Sequence, residues 1–97
     1  MVKHIVIWNL SQELGEEEKK KAAIKIKTDL ESLQGKIPGL LSVEVVTEPY
    51  DSSTHDIALF TSFETVEALQ SYQVHPEHLK VVEFVRSVTC NRVCFDY

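Results

Sequence analysis

Histidine is the side chain that titrates near neutral pH without help, and this 97-residue chain has four: His4, His55, His75 and His78. Two of them fall in the stretch SYQVHPEHLKVV, residues 71–82, with Tyr72 upstream and Pro76 between them. An H-x-x-H spacing on a helix can place two imidazoles on one metal ion. Pro76 argues against that here. The residue before a proline is pushed out of helical geometry, and proline suits a first helical position. His75 therefore belongs to the N-cap region of a helix that starts at Pro76. Glu77, the only other ligand type nearby, would point elsewhere.

Tyr72 and His78 make the more informative pair. Tyr72 falls in the last turn of one helix and His78 in the first turn of the next. A tight His–Pro corner can fold both toward one cavity between helices and sheet. There a buried phenol donates a hydrogen bond to a ligand oxygen, and a neutral imidazole removes a proton from an acidic carbon. The other reading has the two rings packed only to fix the corner, and residue chemistry alone favours it. His4 shares a strand face with Val6 and Trp8. It is either a hydrogen-bonded core or edge residue, or projects beside Trp8 into a pocket or a dimer interior. His55 lies in a polar loop and reads as exposed.

The elements that must position these residues follow from periodicity. VKHIVIWNL (2–10) reads as a strand, with Val2, His4, Val6, Trp8 and Leu10 on one face and Lys3, Ile5, Ile7 and Asn9 on the other. Residues 11–40 read as a long helix with an apolar stripe of Ala23, Ile26, Leu30 and Leu33, acidic at its start and closed by Gly35 and Pro38. Strands are expected over 40–48, 56–63 and 87–97. Helices are expected over 64–73, with Val66, Leu69 and Tyr72 inside and Ser62 or Thr65 as cap, and over 76–85. The order β-α-β-β-α-(α)-β is the α+β, ferredoxin-like pattern: one antiparallel sheet with helices on one face. Strands one and three are apolar on both faces, so the open face calls for a cover. A second copy, its sheet facing the first, is the expected partner, giving a homodimer.

Length and composition argue for a single domain over residues 1–97. The net charge of −5 speaks against a nucleic-acid partner. The block EEEKKK (16–21) reads as a solvated helix face. No apolar run reaches membrane-span length, and the start lacks the marks of a signal peptide, so a cytoplasmic protein without a membrane partner is expected. Cys90 and Cys94 lack a C-x-x-C spacing. On one strand they would share a face about 13 Å apart, so both read as reduced structural thiols.

HIVIW near the start, IPGL after helix one, HDIALFTSFETVEALQSYQVHPEHLKVV in the middle and the terminal FDY resemble the stress-responsive A/B barrel, or dimeric α/β barrel (Dabb), domain over nearly the full chain. The resemblance implies a ferredoxin-like dimer whose two sheets face each other to form a barrel. It implies a small protein linked to stress or to binding a small apolar or polyketide-like ligand. One plant member of this family closes a linear polyketide by an intramolecular aldol condensation. Its tyrosine and histidine fall on Tyr72 and His78, and a further histidine falls on His4. A histidine on its third strand falls on Ile57, with His55 two positions earlier. The activity implied is that of a cofactor-free cyclase or lyase, with Tyr72 polarising a carbonyl, His78 as base, and His4 and Trp8 lining the pocket. No cofactor motif is present. A cofactor-free monooxygenase, as in related dimers, is a third reading motivated by Trp8. In some plant relatives backbone carbonyls at the end of helix one hold a cation. The corresponding carbonyls here are those of Gln34, Ile37 and Leu40.

Overall fold

Alternation in the first nine apolar-rich residues produces β1 (Val2–Leu10), whose His4, Val6, Trp8 and Leu10 are all buried. In a computed structural model that describes residues 1–97, it is followed by α1 (Glu16–Glu31), β2 (Leu40–Val46), β3 (Ile57–Phe63), α2 (Val66–Val74), α3 (Pro76–Val88) and β4 (Thr89–Asp96). The strands form one antiparallel sheet in the order β2-β3-β1-β4, so the two strands apolar on both faces are central. This is the ferredoxin-like arrangement expected from the sequence.

The helices cover one face. Ala22, Ile26 and Leu30 of α1, Leu69 and Tyr72 of α2 and Val85 of α3 pack on Val6, Trp8, Ile57, Leu59 and Phe63 of the sheet. Each large apolar side chain so buried is worth about 1.5–3 kcal/mol against leaving it in water. The opposite face is bare. There the register sets Ile5 between Phe60 and Phe95, and Ile7 between Ala58 and Val93. Phe60 and Phe95 remain 40% and 66% exposed.

Several boundaries differ from the periodic reading. The first helix starts at Glu16, not Ser11, because Ser11–Gly15 form turns and Gly15 caps the helix, its N–H donating to the Glu18 carboxylate at 3.4 Å. It ends at Glu31, and turns carry the chain to β2, with φ of 89° at Gly35 and 82° at Gly39. On α1 the buried alanine is Ala22, while Ala23 is only partly covered. Thr65 caps α2, accepting from the Ala68 N–H at 3.1 Å. Val66, expected inside, is 52% exposed, since the cap turns the first residue of α2 away from the core. The third helix runs on to Val88 because no breaker interrupts it. An irregularity between Ile7 and Asn9, with Asn91 at φ 54°, shifts the β1–β4 register. Cys90 pairs with Asn9 and Cys94 with Val6, so the two free thiols lie on opposite faces rather than one.

At the sheet edge, the Val45 N–H donates to Glu31 Oε2 at 3.0 Å and the Val45 carbonyl accepts from Lys27 Nζ at 2.6 Å. Lys27 also donates to Glu31 at 2.9 Å. Lys27 first, and the Val45 N–H second, hold the Glu31 carboxyl below the usual carboxylate range. No helix is long and apolar enough to cross a membrane.

Candidate functional site

His75 makes the corner that the sequence implies. Its backbone N–H donates to the Tyr72 carbonyl at 3.2 Å, ending α2, and its ring Nδ1 accepts from the Glu77 N–H at 3.1 Å, starting α3. One extended residue therefore separates the two helices. The turn stacks the His78 ring on the Tyr72 ring, with centroids 3.9 Å apart and 29° between planes. Tyr72 is fully buried and tilts against Phe63 at 5.0 Å and His4 at 6.3 Å. Neither the Tyr72 hydroxyl nor His78 Nδ1 has a hydrogen-bond partner, although both are buried. An unpartnered buried polar atom is costly, so two side by side need a reason.

Beside them lies a cavity of about 370 Å³ between the sheet and α3. His4, Trp8, Gln73, His78, Arg86 and Arg92 line it, together with aliphatic side chains of β1, β3, α1 and α3. Tyr72 is not in its wall; it lies behind the His78 ring. An open dip of the same volume beside His55 is lined mainly by loop residues. His55 itself is half-buried and hydrogen-bonded to Thr54.

The electrostatics set the two cavity histidines apart. Burial, above all, pushes His78 down to about 4, and the charges of His4 and Arg86 act the same way. The Gln73 and Tyr72 carbonyls oppose this, though neither closes a hydrogen bond to Nδ1. His78 is thus a neutral imidazole at neutral pH. Burial also pushes the Tyr72 phenol up, so it stays protonated. His4 is held by its other side: Nδ1–H donates to Asp96 Oδ1, which leaves Nε2 as the free ring nitrogen. Behind this pair, Cys94 Sγ lies 3.7 Å from His4 Nδ1 and 3.5 Å from Asp96 Oδ1. These three donors are close enough together to hold a metal ion. The thiol, however, is pushed up, first by burial and then by the Asp96 charge, and the mutual hydrogen bonds already account for the arrangement.

His4, Trp8 and His78 thus meet at one cavity, with Tyr72 directly behind. The corner after α1 is different. The Ile37 carbonyl accepts from the Leu40 N–H at 3.2 Å, Leu40 already belongs to β2, and the Gln34 side chain donates to the Leu41 carbonyl. Nothing in the geometry of this corner points further to a cation. Sequence reasoning missed Asp96, Arg86 and Arg92. Strand register was the signal available for Asp96: in an antiparallel pairing of the two terminal strands it comes opposite His4.

The model of the Stress Responsive A/B Barrel Domain matches residues 2–97. No curated protein matches the chain. A dimeric protein of unknown function and ferredoxin-like fold from Bacteroides fragilis superposes with a TM-score of 0.92 at 31% identity, covering 99% of this chain and 93% of that one. A dimeric ferredoxin-like protein of unknown function from Thermobifida fusca gives 0.81 at 18% identity, with 99% and 88% covered. A hydroxynitrile lyase from Passiflora edulis gives 0.80 at 19% identity, with 99% and 90% covered. The last two likenesses are of fold. The family model and the Bacteroides protein together carry the conclusion that this chain belongs to the stress-responsive A/B barrel domain family.

Proposed function

We propose that this domain acts as a homodimer in which each subunit holds a small carbonyl compound in the His4–His78 cavity and moves a proton on it without a cofactor. The observation that carries this reading is His78: a neutral imidazole whose ring forms part of the wall of a mostly apolar cavity. A base this weak abstracts only a strongly acidified proton, so the fitting substrate has a carbon between two carbonyls, as in a β-polyketide. We assign Tyr72, stacked behind His78 and outside the cavity wall, to positioning the His78 ring, and His4 and Trp8 to holding the ligand. The Passiflora lyase is an enzyme with this fold, which is compatible with such a role and no more.

The test is exchange of the central protons of 2,4-nonanedione in D₂O, followed by NMR at pH 7. Wild type should accelerate exchange, and His78→Gln should lose about a hundredfold or more of that effect. Exchange no faster with wild type than with buffer would dispose of the proposal. The dimer is supported by the bare apolar face around Phe60 and Phe95 and by the dimeric state of the Bacteroides relative. Sedimentation velocity at low micromolar concentration should give a dimer, and Phe60→Glu with Phe95→Glu a monomer. A monomeric wild type would refute it.

A further inference from the structure

The sequence contains two arginines, Arg86 and Arg92, and both line the same cavity. They reach it from different elements. Arg86 comes from the last turn of α3. Arg92 comes from β4, where the pairing of Val6 with Cys94 and His4 with Asp96 carries it onto the helix-covered side of the sheet. Neither makes an ion pair, as is also true of Lys3, Lys21 and Lys36, whereas Lys19, Lys20, Lys25, Lys27 and Lys80 each have a carboxylate within 4.0 Å. This occurs in a chain with 15 acidic residues against 10 basic ones, where carboxylates are in surplus. Glu83, one turn back on α3, does not close on Arg86. Asp96, on the same sheet face as Arg92, is taken by His4.

Two guanidinium groups without a carboxylate partner, at the edge of a concavity whose other polar lining is His4, Gln73 and His78, can receive an anion, because guanidinium presents a planar fork of donors to oxygen acids. The apolar remainder of the wall, with Trp8, suits a carbon skeleton, and a volume of about 370 Å³ restricts it to a small one. Resting on the reading of this cavity as the ligand site, we propose that its ligand is a small apolar molecule with one anionic oxygen head group, a carboxylate or a phosphate monoester, held by Arg86 and Arg92.

Trp8 is the one tryptophan and lies in the cavity wall, so its fluorescence reports filling. The experiment titrates the full chain with octanoate, octyl phosphate and 1-octanol at low salt, and repeats it with the Arg86→Gln, Arg92→Gln double variant. Both positions are exposed, and circular dichroism verifies that the variant folds. Wild type should bind at least one anion about tenfold or more tighter than the alcohol. The double variant should lose that preference and bind octanol as wild type does. The tighter of the two anions identifies the head group. Equal binding of alcohol and anions by wild type, or a preference that survives in the double variant, overturns the anion site and leaves the cavity reading standing. No binding of any of the three overturns both.

Discussion

The imidazole of His78 lies flat over the phenol ring of Tyr72, 3.9 Å between centroids, and each ring carries a buried polar atom without a partner. Stacking accounts for the rings but not for the two idle atoms. The fold alone therefore does not require a hydroxyl at Tyr72.

Tyr72→Phe keeps the stacked ring and removes the orphaned hydroxyl. Its stability should equal wild type or exceed it by about 1 kcal/mol, a rise of about 4–8 °C in Tm for a domain of this size. Tyr72→Ala removes the ring and should cost about 3–5 kcal/mol. Thermal denaturation at neutral pH measures both. A marked fall for Tyr72→Phe would mean that the hydroxyl is satisfied in solution.

His78 makes stability depend on pH. Its folded value near 4 lies below the ordinary 6.5, so between the two the unfolded chain binds more protons. Stability therefore rises with pH across that window. The contribution is complete above about pH 6.5 and is lost as pH falls toward 4. Allowing for the ring's partial access to solvent, it amounts to about 2 kcal/mol. Urea unfolding at pH 7.5 and pH 4.5 should show this difference, and His78→Gln should reduce it by that amount. An unchanged slope in the variant would place the pH dependence elsewhere.

Gly39 and Gly35 both have positive φ, but only one is crowded. A Cβ at Gly39 would stand 2.6 Å from the Ala68 Cβ of α2, whereas one at Gly35 meets nothing within 4 Å. Gly35→Ala should cost about 1 kcal/mol for the backbone alone. Gly39→Ala adds the clash and should cost about 2–4 kcal/mol. Equal urea midpoints for the two variants would show that α2 yields easily.

Much of the architecture is written in local pattern. The His–Pro corner follows from Pro76, and the central strands from apolar residues on both faces of 2–10 and 56–63. What local pattern missed depends on chain-distant pairing. Asp96 meets His4 across 92 residues of sequence, and only strand register makes them neighbours. The period of two of an ideal strand puts both cysteines on one face, and one irregularity in β4 reverses that parity. Arg86 and Arg92 disappear into a net-charge count, since no spacing rule links the end of a helix to the strand beyond it. Val66 misled because an apolar type at helical spacing says nothing about which way a cap turns the first residue.

The Glu31–Lys27 pair on α1 has a consequence for life among other copies of the chain. An edge strand offers its outward N–H and carbonyl groups to any passing extended segment. At Val45 both groups are already occupied, one by a carboxylate and one by an ammonium. The two side chains stand in for the missing neighbouring strand. Edge-to-edge strand addition at this end of β2 is thereby hindered by residues that belong to a helix, which leaves the bare face of the sheet as the surface open to a second copy.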